Sequence, residues 1–184
     1  MYAALLDSCV LVPNVLTDTL LRLAEYGFFR PLWSQRILDE MEYAIHKVHP
    51  DFDEAKISGR SVAMNATFED ALVSGWDELI AGLDLPDDND RHVLAAAIAG
   101  GAQSLVTFNL KDFPIIRLEN YGIEARHPDD FPLDQLDLFP ALALQSLRQQ
   151  ADELSNPASD LPSLLNRLER CGVPRFVDQA RLLL

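Results

Sequence analysis

The chain has 184 residues, of which 48% are hydrophobic, and these values are typical of one folded domain with an appendage and exclude wholesale disorder. A formal net charge of −14 disfavours non-specific nucleic-acid binding, which depends mainly on neutralising phosphates with basic side chains. The two cysteines, Cys9 and Cys171, are too few for a disulfide framework, and no apolar run reaches the ~20 residues that span a bilayer. No basic leader precedes the first apolar run, which ends at Asp7, so we expect a soluble, cytoplasmic protein without a signal peptide.

Short apolar runs alternate with segments of helical periodicity over the first part of the chain, as in a protein built of strands and helices. The run that ends at Asp7 predicts a first strand with a carboxylate at its carboxyl end, and Ser34 is a good N-cap for a helix. The predicted strands are residues 2–6 and 28–33. The predicted helices are residues 15–26, 35–48 and 51–73. Residues 79–83 fit either a short strand or a turn of helix.

Residues 85–114, LPDDNDRHVLAAAIAGGAQSLVTFNLKDFP, carry the most informative pattern in the chain. Three good N-cap residues at 87–89 open a helix with apolar residues at helical spacing, and the glycines at 100–101 end it. Residues 104–108 then form an apolar run without alternation, as expected of a strand that is covered on both faces. Parallel sheets bind ligands beyond the carboxyl ends of their strands, where this chain has three polar candidates: Thr107, Asn109 and Asp112.

The sequence changes in character at Pro132, where β-branched runs stop and leucines recur at helical spacing. Before that point, residues 122–126 predict an edge strand. After it, three helices are predicted at residues 138–154, 160–171 and 174–184. We therefore predict a domain of residues 1–131 and a helical C-terminal extension of residues 132–184.

The segment at residues 85–114 closely resembles the corresponding segment of the PIN-domain nucleases, the fold of the VapC-like toxins of bacterial toxin–antitoxin pairs. Weaker similarity extends over residues 1–130, and the tail resembles the helical extension of one subgroup of those toxins. The resemblance implies a three-layer α/β/α sandwich with a central parallel sheet of about five strands, in which residues 79–83 form a strand. Right-handed crossovers between these strands then place Asp7 and Asn109 on neighbouring central strands.

The resemblance also implies which carboxylates form a site. Helical periodicity places Glu40 and Glu42 on opposite flanks of one apolar face and does not choose between them. The segment WSQRILDE resembles the Ser-to-Glu segment of the family, which favours Glu40. Carboxylates gathered without a lysine repel one another, and their oxygens are the ligands that hard cations require. The implied ligands of one or two Mg²⁺ or Mn²⁺ ions are Asp7, Glu40, Asp90 and Asp112.

Polar residues beside these acids are expected to support them. We expect Thr107 to hydrogen-bond one of the acids, while Asn109 and Asp112 compete for the place of closer ligand. Arg91 and Lys111 are expected to contact the RNA backbone because they lie next to the acids in a strongly acidic chain.

Other residues that look like ligands or nucleophiles fit simpler roles. Asp87 and Asp88 suit helix caps. His46 and His49 have the spacing of a metal-binding pair, but no third ligand is near, so we expect a solvated helix end. No histidine is placed to activate Cys9, so we expect a small buried residue there.

The resemblance implies a metal-dependent endoribonuclease that cleaves RNA phosphodiester bonds, as the toxin of a type II toxin–antitoxin system. The expected partners are an RNA substrate, a cognate antitoxin and a second copy of the chain. Two alternatives stay open. A catalytically silent PIN-like interaction module would be expected to lose acids, and none of the four is missing. A phosphoryl-transfer hydrolase would use Asp7 as its nucleophile, but such enzymes usually carry a second aspartate where this chain has Cys9.

Overall fold

The computed structural model describes residues 2–154 and 160–184, which form two compact units. The first unit contains the residues up to Val12 together with Arg30–Arg126, and the second contains Pro13–Phe29 and His127–Leu184. Residues 13–29 therefore belong with the C-terminal helices, although they lie between two strands in the sequence. The division into residues 1–131 and 132–184 stays a prediction.

The first unit is built on a five-stranded parallel sheet with the order β3-β2-β1-β4-β5. Helices flank this sheet, so the predicted α/β/α sandwich with five parallel strands is confirmed. All four residues of the central strand β1 are buried, which explains why its sequence lacks alternation. The strands are β1 (Ala3–Leu6), β2 (Arg30–Ser34), β3 (Leu72–Val73), β4 (Ser104–Val106) and β5 (Glu124–Arg126).

The helices of the first unit are close to those predicted in the segments with clear periodicity. Ser34 caps its helix as predicted, because its hydroxyl accepts a hydrogen bond from the Ile37 N–H at 3.2 Å. These helices are α1 (Ser8–Leu11), α3 (Gln35–Val48), α4 (Glu54–Thr67), α5 (Arg91–Ala99) and α6 (Ile115–Leu118). A 3₁₀ helix spans Asp77–Gly82, and single 3₁₀ turns lie at Asp88–Asp90, Leu110–Asp112 and Glu119–Tyr121.

Two predictions for residues 51–83 were wrong. The predicted strand at residues 79–83 falls mostly in a 3₁₀ helix, Asp77–Gly82, which is not among the strands of the described sheet. The third strand is instead β3, which was predicted to be the end of a helix. Helix α4 ends at Thr67, and the Trp33 N–H then donates to the Ala71 carbonyl at 3.0 Å, which brings the next two residues alongside β2.

The glycine pair after α5 fixes how closely this helix approaches the sheet. A Cβ on Gly100 would lie 2.9 Å from side-chain atoms of both Leu32 and Val73, so only glycine fits there. Gly101 has φ +65°, a conformation that side chains with a Cβ rarely adopt. The predicted helix stop is confirmed, and it seats α5 against β2 and β3.

The second unit is helical, and it contains one helix more than the sequence predicted. Residues 130–138 form a helix that was missed, because Pro132 in its first turn resembles a break while proline is tolerated there. Across the described residues, no helix is long and apolar enough to cross a membrane. The helices of this unit are α2 (Asn14–Glu25), α7 (Asp130–Leu138), α8 (Pro140–Glu153), α9 (Leu161–Arg170) and α10 (Pro174–Leu182).

A buried polar contact joins α2 to α8 within the second unit. The Thr19 hydroxyl donates to Gln150 Oε1 at 2.7 Å, and Gln150 Nε2 donates to the Val15 carbonyl at 3.0 Å. Thr19 and Gln150 are each only 1% exposed. Every polar atom in this contact has a partner, so it holds the two helices in one register without leaving an unsatisfied group.

We expect Gln150→Ala to lower the free energy of unfolding by about 2 kcal/mol, because two buried hydrogen bonds of about 1 kcal/mol each are lost. The neighbouring Gln149 is a matched control, since its side chain accepts an exposed hydrogen bond from Tyr26 at 2.7 Å. Gln149→Ala should change the free energy by less than about 0.5 kcal/mol. Urea denaturation of both variants measures the difference, and equal losses would show that the buried contact does not hold α2 to α8.

Candidate active site

The candidate site lies beyond the carboxyl ends of two neighbouring strands of the first unit, β1 and β4. Asp7 follows β1 directly, and its N–H donates to the Val106 carbonyl of β4 at 3.0 Å. Thr107 and Asn109 follow β4, so the prediction that Asp7 and Asn109 end neighbouring central strands is confirmed. This is the edge at which parallel sheets bind ligands.

Asp7 is held in place by hydrogen bonds to both of its carboxylate oxygens. Oδ1 accepts from the Ser8 N–H at 2.6 Å and from the Ser8 hydroxyl at 3.3 Å. Oδ2 accepts from the Thr107 hydroxyl at 2.7 Å and from the Cys9 thiol at 3.1 Å. The hydrogen bond expected of Thr107 is thus present. These donors hold the carboxylate in one orientation and satisfy both oxygens of a side chain that is only 7% exposed.

Cys9 serves this site as a hydrogen-bond donor. Its burial, followed by the negative charge of Asp7, raises the pKa of the thiol to about 12. The Cys9 thiolate is therefore not formed near neutral pH, so Cys9 is not available as a nucleophile. The thiol was expected to be merely a small buried group, and its hydrogen bond to Asp7 was not predicted.

Asp90 is the most perturbed carboxyl of the site. Burial raises its pKa from 3.8 to about 6, with further contributions from the charges of Asp7, Asp87 and Asp112, and His92 opposes them. Its Oδ2 atom is buried and has no hydrogen-bond partner. Asp7 and Asp112 are therefore close enough to Asp90 to disfavour its negative charge.

Basic side chains do not neutralise this repulsion. Arg91 pairs with Asp88 at 2.5 Å, and its Nε atom is buried without a partner. Lys111 is 82% exposed, and its Nζ lies 4.0 Å from Asp112 Oδ2. In the part of the chain that the structure describes, neither Asp7 nor Asp90 forms an ion pair.

Glu40 projects from α3 and is joined to the Asp90 segment through His92. The His92 Nε2 lies 2.9 Å from Glu40 Oε1, and Arg36 Nε lies 3.3 Å from the same oxygen. Burial of the Glu40 carboxyl acts to raise its pKa, but the hydrogen bond and charge of His92, followed by those of Arg36, lower it overall. Glu40 is thus stabilised as a carboxylate, whereas Asp90 is not.

The residues fit a hard divalent cation in their donor chemistry. Asp90 offers a buried oxygen without a partner, and carboxylates that repel one another are favourable ligands for Mg²⁺ or Mn²⁺. Across residues 2–154 and 160–184, no three His, Cys, Asp or Glu side chains are already arranged to hold an ion. Among the described residues, Asp7 and Asp112 lie within electrostatic reach of Asp90, and Glu40 contacts His92 two residues further along, without a preformed coordination shell.

His92 is the site residue that the sequence analysis missed. It is only 2% exposed, its Nδ1 atom has no partner, and it lies two residues after Asp90 on the buried face of α5. A polar side chain among Val93, Leu94 and the alanines was the available signal. Of the four buried side-chain polar atoms without partners in the described residues, three belong to residues 90, 91 and 92.

Asp87, His46 and His49 have the simpler roles expected of them. Asp88, in contrast, pairs with Arg91 and is not the capping residue, and Cys9 is only partly buried. The Asp87 carboxylate accepts from the Asn89 N–H at 2.9 Å and so caps the 3₁₀ turn. His46 and His49 are exposed at the end of α3, and the His49 ring stacks on Phe52. The expectation of a solvated helix end is confirmed.

Comparison with known proteins identifies similarity over both parts of the chain. The family model described as "PIN domain" matches residues 3–111, and the one described as "VapC50 C-terminal domain" matches residues 128–182. A protein of Mycobacterium tuberculosis (strain ATCC 25618 / H37Rv), named "Putative ribonuclease VapC50", is 42% identical over 113 residues. The aligned part covers 61% of this chain and 66% of that relative. No solved structure matches the chain.

The raised pKa of Asp90 predicts that Asp90→Asn stabilises the metal-free protein. The folded-state pKa lies above the unfolded one, so the penalty is absent below about pH 4, grows as the pH rises and is complete above about pH 6. At pH 7 in EDTA we expect a gain on the order of 1 kcal/mol, after allowing for solvent screening. Thermal melting from pH 4 to pH 7 measures this.

Asp88→Asn is the control for that series, because Asp88 is 76% exposed and forms only a surface ion pair. It should change stability by less than about 0.5 kcal/mol and show no such pH dependence. Millimolar Mn²⁺ should raise the melting temperature of the wild type and of Asp88→Asn, and barely that of Asp90→Asn. A clearly destabilised Asp90→Asn in EDTA would contradict the proposed repulsion.

Proposed function

Because this chain belongs to the PIN-domain family, we propose that it is a divalent-metal-dependent endoribonuclease and the toxin of a type II toxin–antitoxin pair. The observation that carries the proposal is the Asp90 carboxylate, which has a buried oxygen without a partner and lies near Asp7 and Asp112 without an ion pair. The similarity to a relative named as a ribonuclease supports the choice of RNA as substrate.

We propose that Asp7, Glu40, Asp90 and Asp112 hold one or two Mg²⁺ or Mn²⁺ ions, with Asn109 beside them. Such an ion would supply Lewis-acid polarisation of the scissile phosphate and activation of water for in-line attack. Asp7 is ready for this role because four donor contacts fix the orientation of its carboxylate. Thr107 contributes by binding Asp7 through its hydroxyl while that hydroxyl accepts from the Asn109 N–H at 3.0 Å.

The proposed contacts with the RNA backbone come from Arg91 and Lys111. Lys111 is exposed next to Asp112, so its ammonium group is free to reach a phosphate on the solvent side of the acids. Arg91 is partly exposed and paired with Asp88, and a phosphate would compete for the same guanidinium group. Local basic groups of this kind allow an acidic chain to bind RNA at one place without binding it everywhere.

The proposed protein partners are a cognate antitoxin and a second copy of the chain. The second unit exposes adjacent apolar side chains at Leu138 and Phe139, together with Leu182 near the end of α10. Exposed apolar surface of this kind supports a protein partner at the C-terminal helices.

The competing hydrolase with Asp7 as nucleophile is disfavoured by the geometry. Both Asp7 oxygens already accept hydrogen bonds, which lower their nucleophilicity, and the position two residues later is Cys9 with an un-ionised thiol. The silent interaction module is disfavoured because all four acids are present beside an unpartnered carboxylate oxygen.

We expect RNA cleavage that depends on Mg²⁺ or Mn²⁺ and stops in EDTA. Asp7→Asn and Asp90→Asn should each remove nearly all of it, because an amide is a poor substitute for a carboxylate on a hard cation. Asp84→Asn is the matched control and should retain activity within about twofold, since Asp84 is 65% exposed and forms only a surface ion pair with Arg117. Cleavage of a labelled single-stranded RNA by proteins shown to be folded is the measurement. Wild-type turnover by Asp90→Asn would remove the proposed site.

Lys111→Ala should weaken RNA binding about equally for all RNA sequences and reduce the salt slope of binding by about 1, because one phosphate contact is lost. Lys47 lies two helical turns beyond Glu40 on α3 and provides the control. Lys47→Ala should leave the slope unchanged. Fluorescence anisotropy at several salt concentrations measures the slope for both lysine variants, each made in a catalytically inactive background. An unchanged slope for Lys111→Ala would contradict the proposed phosphate contact.

A further inference from the structure

His92 contacts the Glu40 carboxylate of α3 and lies two residues after Asp90 in the chain. Its Nε2 lies 2.9 Å from Glu40 Oε1. A carboxylate can only accept a hydrogen bond, so Nε2 carries the hydrogen and donates it to Glu40. Among the described residues, this hydrogen bond joins α3 to the start of α5.

We propose that His92 is a positioning residue that holds the Glu40 carboxylate beside Asp90, so that both carboxylates reach the same divalent ion. This inference rests on the proposed function, because it concerns the ligands of the proposed ion. When a buried group that orients a metal ligand is removed, the affinity of the site for the metal ion commonly falls by about 10- to 100-fold.

Two observations indicate that His92 serves the contact with Glu40 and not packing alone. The ring is 2% exposed and lies beside Trp76, with ring centroids 6.0 Å apart, so the surroundings suit an apolar side chain. Nδ1 is buried without a partner, which is unfavourable for the folded state. A leucine would fill similar space without leaving such an atom, and it would lose only the contact with Glu40.

Glu40 itself needs an external restraint. Its side chain is 38% exposed, and its other partner is Arg36 on the same helix, at 3.3 Å and with 45% exposure. A contact within one exposed helix turn does not fix the carboxylate relative to Asp90. The buried imidazole does so because it belongs to α5.

The test measures binding of Mn²⁺ alone, by calorimetry and by the electron paramagnetic resonance signal of the free ion. His92→Leu should lower Mn²⁺ affinity at least tenfold while its melting temperature in EDTA stays at or above that of the wild type. His92→Gln can place an amide N–H where Nε2 stands, so it should bind Mn²⁺ within about threefold of the wild type. Wild-type affinity in His92→Leu, or a tenfold loss in His92→Gln with normal folding, overturns the assignment.

A double-mutant cycle asks whether His92 acts through Glu40. Glu40→Gln should weaken Mn²⁺ binding, and adding His92→Leu to it should change the affinity by less than about twofold. If His92→Leu lowers affinity by the same factor in both backgrounds, then His92 does not act through Glu40.

Arg36→Met is the matched control, because it removes the other partner of Glu40 from the solvent side. It should leave Mn²⁺ affinity within about threefold, and a loss as large as that of His92→Leu would contradict a specific role for His92. Measurements on the wild-type protein distinguish failure of the proposed function from failure of the role assigned to His92. If wild-type protein neither binds Mn²⁺ nor cleaves RNA, the proposed function fails. If it does both and His92→Leu binds equally well, only the role of His92 fails.

Discussion

Mutual repulsion among carboxylates beyond the ends of β1 and β4 is the constraint around which the first unit is arranged. The neighbouring parallel strands deliver Asp7 and the Thr107 segment to one edge of the sheet. The 3₁₀ turns at residues 88–90 and 110–112 carry Asp90 and Asp112 to the same place, where burial, followed by the charges of the neighbouring acids, raises the pKa of Asp90. A sheet whose central strand is wholly buried is rigid enough to hold such groups together, because the cost is small relative to burial of its apolar core.

The acids of the site differ in their partners. Asp7 is surrounded by hydrogen-bond donors, whereas Asp90 has an oxygen with no donor at all. Burial acts to raise the pKa of Glu40, but His92, followed by Arg36, lowers it overall. A cation would therefore gain most from Asp90, while Asp7 and Glu40 are held in place in advance. This division of roles follows from hydrogen-bond partners and does not depend on how many carboxylates the site contains.

The features predicted correctly from the sequence are those that local patterns and strand topology determine. The predictions that failed concern features that depend on contacts between residues far apart in the chain. The cap at Ser34, the glycine stop at residues 100–101 and the order of Asp7 and Asn109 along the sheet are set by local chemistry and parallel pairing. Strand β3 has two residues, too few for any periodicity, and it exists because Trp33 and Ser34 pair with it. The residues at 79–83 have a similar apolar content but lie outside the sheet.

The same reasoning explains why His92 was missed and why Glu40 needed a resemblance. The periodicity of α3 treats Glu40 and Glu42 alike, since both flank the buried stripe. In the folded chain they differ in their partners: Glu42 accepts from the Ser61 hydroxyl of α4 at 2.5 Å, whereas Glu40 meets His92 of α5. No pattern within one helix carries that information.

Two groups of buried polar atoms in this chain differ in whether their atoms have hydrogen-bond partners. That difference distinguishes polar groups that stabilise the fold from polar groups that are available to bind something else. In the second unit, Thr19 and Gln150 complete each other's hydrogen bonds and the Val15 carbonyl, so the contact stabilises helix pairing. In the first unit, the unpartnered atoms fall on residues 90, 91 and 92 in succession. Folding alone would favour replacing them with groups that are satisfied or apolar, because each unpaired buried atom destabilises the native state. Their concentration on one turn at the start of α5 is understandable if their missing partners belong to something that this turn binds: a cation for the Asp90 carboxylate and a phosphate for the Arg91 guanidinium.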